Sequence, residues 1–267
     1  MDREGLLRSL NEHDARQAAM DAPRGPGPFR ADTRVIDRPG WYQLITPSTR
    51  SAYLNEVGFS AVATADADRV IEETVAGYAA HGLPTKWCVG PWTEPAPERF
   101  GERLAARGFA SWEVRGMVRD TALALDAGAA DIAPVGLDEL PEAIDVAMAG
   151  WGMPPDQRDL EIAAHRAALA ADPPAVHLFA ARIDGRIAAT AGLLLRPRCG
   201  YLVGAQVLDR FRGRGLYRAL IAARLAFLRA RGFSLAVTQA REATSAPMLE
   251  HLGWETAFRS RCWLLEA

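Results

Sequence analysis

The sequence predicts an α/β (α+β) fold arranged as two bodies in tandem. Three observations carry that prediction. A length of 267 residues corresponds to about two domains at roughly 150 residues each. Hydrophobic residues make up 49% and charged residues 24%, enough apolar surface to build cores and to exclude a disordered chain. The order strand, long helix, strand, short helix, glycine-aromatic, strand occurs twice, which points to a diverged internal duplication. The expected division is an N-terminal extension over 1–31, a first body over 32–119, a linker over 120–131 and a second body over 132–267.

In the first body, apolar patterning places strands at Trp41–Ile45 and near Tyr53–Val62. A helix from about Ala65 to His81 carries Ile71, Val75 and Tyr78 on one face and stops at Gly82. Trp87–Val89 is a short strand, Glu98–Arg107 a helix ending at Gly108-Phe109, and Ser111–Val118 the last strand. The stretch Asp120–Asp131 is small and weakly patterned, hence the linker.

The second body begins with a short strand, Ile132–Val135, and a helix, Leu137–Ala149, with Asp138 and Glu139 in its first turn. After the loop Gly150–Pro155, a second helix runs from Asp156 to Ala171 and is closed by Asp172-Pro-Pro. Val176–Ile183 and Arg186–Leu195 form a hairpin around Asp184-Gly185, a strong two-residue turn signal. Tyr201–Leu208 is a strand. The helix Gly215–Ala230 presents Leu216, Leu220, Ile221, Leu225, Phe227 and Leu228 as one apolar stripe. Leu235–Val237, a short helix capped by Thr244 or Ser245 and ending at Leu252-Gly253, and a last strand within Trp254–Leu265 complete it.

Composition narrows the function classes. The net charge of -2 lacks the basic excess of a nucleic-acid binder, whose affinity rests on counterion release. Three cysteines without a CxxC pair support neither a disulfide scaffold nor a zinc ribbon. No apolar run reaches the roughly 18 to 20 residues that span a bilayer, and the charged start MDREGLLRSLNEHDARQ lacks an apolar signal core. A cytoplasmic protein is the expectation, with no nucleic-acid, membrane or metal partner and an oligomeric state left open. Lys86 is the single lysine, which disfavours lysine-based catalysis.

The chemistry is concentrated in Ala205-Gln-Val-Leu-Asp-Arg-Phe-Arg212-Gly-Arg-Gly-Leu-Tyr217-Arg-Ala-Leu220. A strand ends, glycines turn the chain, and a helix starts. The first N–H groups of that helix have no partners within it, and the helix dipole adds positive potential there. Glycine permits close backbone approach, and Arg212, Arg214 and Arg218 flank the turn. Such a turn suits a phosphate or pyrophosphate. Neither a Walker P-loop nor a GxGxxG fingerprint is present. The competing reading is a tight turn with solvated arginines.

This stretch resembles the acyl-CoA pyrophosphate motif of the GNAT superfamily of N-acetyltransferases, Arg/Gln-x-x-Gly-x-Gly/Ala. Arg212-Gly-Arg-Gly215-Leu-Tyr217 fits the frame with Tyr217 in place of the last small residue. The shifted frame Arg210-x-x-Gly213-x-Gly215 matches the letters, but the first places the preceding strand and Leu220 as the family has them. Met248-Leu-Glu-His-Leu-Gly253-Trp254 resembles the family's late helix and strand. Together with the hairpin, the resemblance covers about 132–267. It implies a mixed, mainly antiparallel sheet flanked by helices that splays beside Val207, with acyl-CoA inserted between two strands, and the repeated order makes the first body a second GNAT-like domain. That domain is degenerate: Ala63-Thr-Ala-Asp-Ala-Asp68 stands where the phosphate turn belongs, so no CoA is expected there.

The resemblance further implies that Ala205, Gln206 and Val207 offer backbone groups to the pantetheine arm. It also implies that Gly213, Arg214, Gly215, Leu216, Tyr217 and Arg218, with Arg212, hold the pyrophosphate. The family's usual tyrosine falls at Leu249, which cannot donate a proton, and its common asparagine falls at Glu242. The catalytic candidates are therefore Glu242 as base, against a solvated helix-start residue, and Tyr217 as proton donor, against packing. Asp156 reads better as a helix N-cap, and His165, His177 and His251 as structural or surface residues. Trp151 and Met153 are candidates for an apolar acceptor pocket, against simple core packing. Trp41, Trp87 and Trp92 read as core or interface residues, and the cysteines as buried thiols.

The leading functional expectation is acetyl transfer from acetyl-CoA, or another acyl-CoA, to a primary amine of a small molecule, by direct transfer in a ternary complex. The alternatives are a non-catalytic acyl-CoA-binding or sensing protein, acetylation of a protein amine, and an anion binder using Arg210 and its neighbours.

Overall fold

A computed structural model describes residues 12–94 and 96–267. The first eleven residues, where the sequence shows a charged, amphipathic start, lie outside them. In chain order the elements are α1 (Glu12–Asp21), β1 (Arg34–Arg38), β2 (Trp41–Ile45), β3 (Glu56–Ser60), α2 (Ala67–Ala79), β4 (Thr85–Val89), α3 (Pro97–Ala105) and β5 (Ala110–Asp120). They continue with β6 (Asp131–Pro134), α4 (Leu140–Trp151), α5 (Arg158–Ala170), β7 (His177–Ile183), β8 (Arg186–Leu195), β9 (Gly200–Val207), α6 (Leu216–Ala230), β10 (Leu235–Arg241), α7 (Ser245–His251) and β11 (Glu255–Leu265). The twofold order is visible: three strands, a long helix, a strand, a short helix and a strand run from β1 to β5 and again from β7 to β11. No helix among the described residues is long and apolar enough to cross a membrane.

The residues group into two compact units. The carboxy-terminal unit holds Met117–Gln239 and Leu249–Glu255, together with the stretch up to Phe29. Its strands neighbour one another in the order β10-β9-β8-β7-β6. All pairs are antiparallel except β9 with β10. Asp184 and Gly185 both have positive φ, 53° and 74°, the backbone that a two-residue hairpin turn with the right twist demands. The α4 face of Ala143 and Val146 packs on Val135, Ala180 and Ile187, while Leu140, Ile144 and Met148 join Met153 and Ile162. The N-terminal helix belongs here as well: Ala15, Ala18, Ala19 and Ala22 are buried, and Arg196 donates to the carbonyls of Ala22 and Pro26 at 2.8 Å each.

The amino-terminal unit holds Arg30–Gly116, Ala240–Met248 and Thr256–Ala267. Its strands follow the order β1-β2-β3-β4-β11-β5, with β3 parallel to β4 and β4 antiparallel to β11. The last strand of the chain therefore completes the sheet begun near its start. Trp41, Ile71, Tyr78, Trp87, Phe100 and Leu104 form the core together with Trp263 from β11. The tyrosine hydroxyl of Tyr78 donates to the Leu44 carbonyl at 2.7 Å, and the indole N–H of Trp87 to Ser60 at 2.9 Å, so both aromatics keep their polar atoms satisfied inside.

Candidate functional site

The site in the carboxy-terminal unit starts from a fork between two parallel strands. β9 and β10 pair at Ala236–Gly200, Val237–Tyr201 and Thr238–Leu202, and there the pairing ends, although the strands run on to Val207 and Arg241. At the crotch the Thr238 hydroxyl donates to the Leu202 carbonyl at 2.9 Å. Past it, β9 keeps its pairing with β8 as far as Val207–Ala189, so its other edge has no β10 partner. A bulge lies within this segment. Val203 faces Gly192 and Gln206 faces Thr190, so β9 spends one more residue than β8, and Gly204 takes φ +57° to do so. Ala205, Gln206 and Val207 thus sit half-buried on an open strand edge beyond the fork.

The glycine-rich turn follows directly. Gly213 and Gly215 have φ of +76° and +75°, and a Cβ at either would meet open space. They are required by the backbone path, since left-handed geometry costs other residues roughly 1–2 kcal/mol. Gly215 is the N-cap of α6, no side chain caps the helix, and no acidic residue lies in its first turn. The N–H groups of Leu216, Tyr217 and Arg218 therefore face outward without a helical acceptor. Arg212 pairs with Asp209 at 2.8 Å, and Arg218 donates to the Asp126 carbonyl at 3.0 Å. Both contacts are exposed, and exposed pairs contribute only about 0–1 kcal/mol, so both arginines can be redirected to an anion. Arg214 lies 5.6 Å from the Phe211 ring centroid.

Behind the fork stands Arg224, which is 2% exposed. Its guanidinium donates to the Gly192 carbonyl at 3.0 Å and reaches the Val203 carbonyl at 3.5 Å, the two residues that bound the bulge. Burial pushes its pKa down to about 10, partly offset by Tyr217, so it remains charged at neutral pH. Burial also raises the Tyr217 phenol above its ordinary value, against the neighbouring Arg224 charge. Arg224 was legible as an anomaly, a charged residue four positions after Leu220 and four before Leu228 in an apolar stripe. Thr190, across from Gln206, has a buried hydroxyl with no hydrogen-bond partner among the described residues; nothing in the sequence marks it.

The remaining candidates separate. Gly150 lies so near Gln206 that a Cβ there would come within 2.7 Å of its side chain, which ties the end of α4 to β9. Trp151 is exposed at that helix end, whereas Met153 packs against Leu140, Ile144 and Met148 as core. Asp156 falls in a 3-10 turn ahead of α5. The His165 ring contacts the Glu161 carbonyl at 2.9 Å, and burial lowers its pKa; the His177 ring lies 4.8 Å from that of Phe227, tilted against it, and burial lowers its pKa too.

Glu242 does not join this group. By its contacts it belongs to the amino-terminal unit, where Arg115 and Arg259 bind its carboxylate, the latter at 2.6 Å. Its hydrogen bonds with Arg115, reinforced by the Arg115 and Arg259 charges, hold its pKa at about 2. A carboxylate so acidic is a weak proton acceptor at neutral pH, which argues against the expected base role. It lines a cleft of about 540 Å³ in the amino-terminal unit, with Gly90, Glu98, Glu102, Arg259 and Trp263. β10 runs on to Arg241, so the residue that follows it begins a turn held by the Glu242 N–H to the Glu113 carbonyl, 3.0 Å.

In the same unit the start of α2 carries Asp66 and Asp68 where α6 has its glycines. Asp66 pairs with Arg69 at 2.9 Å, and Asp68 with Arg103 at 2.8 Å and Arg107 at 3.0 Å. This helix start is already supplied with carboxylates.

A model of the acetyltransferase (GNAT) family matches residues 140–254. Residues 140–254 are a GNAT domain. The fork, the bulge, the glycine turn and Arg224 all fall within the GNAT domain. Among solved structures, the chain is similar to a GCN5-related N-acetyltransferase from Kribbella flavida. Identity is 16%, 95% of this chain and 96% of that one are covered, and the TM-score is 0.67. A GCN5-related N-acetyltransferase from Sphaerobacter thermophilus matches at 15% identity, over 85% of this chain and 80% of that one, with a TM-score of 0.60. A tandem GNAT protein from the clavulanic acid biosynthesis pathway matches at 16% identity, over 95% and 87%, with a TM-score of 0.57. At these identities the likeness is one of fold, and it extends beyond the GNAT domain to nearly the whole chain. No curated protein sequence matched.

Proposed function

We propose that the carboxy-terminal unit binds acetyl-CoA, or another acyl-CoA, and passes the acyl group directly to a primary amine of a small molecule in a ternary complex. The observation that carries this reading is the fork. A strand edge without a partner opens next to an uncapped helix N-terminus whose left-handed glycines expose backbone N–H groups. An extended amide-containing chain fits the first and a pyrophosphate the second.

Backbone groups of Ala205, Gln206 and Val207 receive the pantetheine arm as an added strand. The turn Gly213–Arg218 and the side chains of Arg212, Arg214 and Arg218 hold the pyrophosphate. The bound co-substrate supplies an activated thioester carbonyl. An N–H on the open edge of β9 is the donor available as charge develops on that carbonyl. Trp151 offers an exposed aromatic wall for the acceptor. The amine must be neutral to attack, and water takes its proton, since Glu242 is engaged by arginines. Tyr217 keeps its proton at neutral pH and is the proposed donor to the leaving thiolate. A specific observation favours the non-catalytic alternative: Leu249, 2% exposed, fills the position of the family's usual acid.

Calorimetric titration of acetyl-CoA into wild type and Gly215→Glu tests the binding half. One site per chain, lost in the variant, is the expected result, because the new carboxylate enters the pyrophosphate turn. Absence of binding to wild type overturns the reading. CoA release across a panel of amines tests the catalytic half. Tight binding without release for any amine selects the sensing alternative.

A further inference from the structure

The amino-terminal unit contains a second reactive cluster, which the proposed acyl transfer does not use. β4 and β11 run antiparallel, and their register sets Cys88 directly opposite Cys262. Directly opposed residues in an antiparallel pair have Cα atoms about 4.5–5.5 Å apart, inside the 4.4–6.8 Å range that a disulfide spans. The two Sγ atoms are 3.4 Å apart and both cysteines are free, so closing to a bond of about 2.05 Å needs a movement of roughly 1.4 Å.

The surroundings favour reaction at this pair over Cys199. Lys86 lies two residues before Cys88 on the same face of β4, with its ammonium 2.5 Å from Glu56 and 4.3 Å from the Tyr53 ring centroid. Burial works against the Lys86 charge, but Glu56 and the two sulfurs outweigh it and keep the lysine protonated. Within the pair, the S–H contact lowers Cys262 and raises Cys88. One sulfur is thus the better nucleophile and the other carries the proton. All three thiols are buried and burial raises each of them, so what sets Cys199 apart is that it has no second cysteine beside it among the described residues.

We propose that Cys88 and Cys262 form an oxidative modification site, at which a hydroperoxide converts the dithiol to a disulfide that staples the last strand of the chain to β4. The Cys262 thiolate attacks the terminal oxygen of the hydroperoxide. The O–O bond breaks, the leaving oxygen departs as hydroxide from hydrogen peroxide or as alkoxide from an organic hydroperoxide and takes up the proton that Cys262 released, and Cys262 becomes a sulfenic acid. The Cys88 sulfur then attacks the Cys262 sulfur, the S–S bond forms, and the sulfenic oxygen leaves as water with the Cys88 proton. The dithiol loses two electrons and the peroxide gains them. The staple spans 174 sequence positions and so removes much freedom from the unfolded chain.

The test treats the full native chain with hydrogen peroxide, then blocks, unfolds and counts thiols. Two of the three thiols should disappear, the chain should lose about 2 Da, and one linked Cys88–Cys262 peptide should appear that dithiothreitol reverses. Without reductant, the melting temperature should rise by several degrees. Cys199→Ser should behave as wild type, and Cys88→Ser should lose the link and accumulate oxidised Cys262. Three titratable thiols after treatment, a link through Cys199, or oxygen addition without a link would each overturn the proposal. Mass and thiol counts on wild type keep the test valid if a variant fails to fold.

Discussion

Replacing Arg224 with methionine probes whether the fork is braced from behind. Arg224 is 2% exposed, and the shift of its pKa from 12.5 to about 10 corresponds to about 3 kcal/mol against the buried charge. Its two well-formed hydrogen bonds, to the Leu220 and Gly192 carbonyls at 3.0 Å each, contribute about 1.5–3 kcal/mol apiece when the donor is charged. The long contact to Val203 adds little. The favourable and unfavourable parts nearly cancel, leaving about 0–3 kcal/mol in favour of arginine. Methionine fills most of the volume and removes the desolvation cost, but it leaves the Gly192 carbonyl without this donor. The expected loss is therefore about 1–2 kcal/mol, a fall in melting temperature of roughly 3–8 °C. Acetyl-CoA affinity should fall more than stability suggests, because the bulge at Gly192 and Val203 sets the path of the open β9 edge. Thermal melts and calorimetric titration on the same preparations separate the two effects, and Arg224→Lys, which keeps the positive charge and an ammonium donor, should recover part of the affinity. A methionine variant with wild-type melting and wild-type affinity would refute the bracing argument.

The other predictions are briefer. Glu242 has a folded pKa of about 2 against an ordinary 4.5, so its pairing stabilises the protein above pH 4.5 and fades as pH falls towards 2; Glu242→Gln should flatten melting temperature against pH in that window while turnover persists, and lost turnover with an intact fold would restore Glu242 as base. Tyr217→Phe should lower kcat by about 10–100-fold with little change in KM, read by CoA release; an unchanged kcat would remove Tyr217 as the acid. Phe100→Ala, at a fully buried site whose ring centroid is 5.2 Å from that of Trp87, should cost about 3–5 kcal/mol in denaturant unfolding. Gly215→Ala should cost about 1–2 kcal/mol through its φ of +75° alone, since the space around a Cβ there is open.

Much of the local structure is legible because periodicity and punctuation agree. Trp41–Ile45 and Arg186–Leu195 are strands with the expected ends, and α6 begins one residue after Gly215 and ends at Ala230 as expected. Helix starts are less legible. Where Leu137 and Asp156 are expected to open helices, turns intervene and α4 and α5 begin at Leu140 and Arg158, because proline and acidic residues suit a turn as well as a first helical turn. β1 escapes notice since Arg34–Arg38 is an exposed edge with charged ends and little alternation to read. The helix Glu12–Asp21 docks through small alanines, which carry almost no periodic signal.

By itself, the sequence determines the twofold order of elements, the glycine turn at the start of α6 and the acidic substitution at the start of α2. Each of these depends on residues adjacent in the chain: positive φ needs glycine, and a helix N-terminus is set by the few residues that form it. Only the tertiary structure decides that β9 and β10 part after Leu202 and Thr238 and that Arg224 points at the bulge. It alone assigns Glu242 to two arginines and sets Cys88 against Cys262. Those are pairings between residues far apart in sequence, and strand register and unit membership fix them through packing that no local pattern encodes.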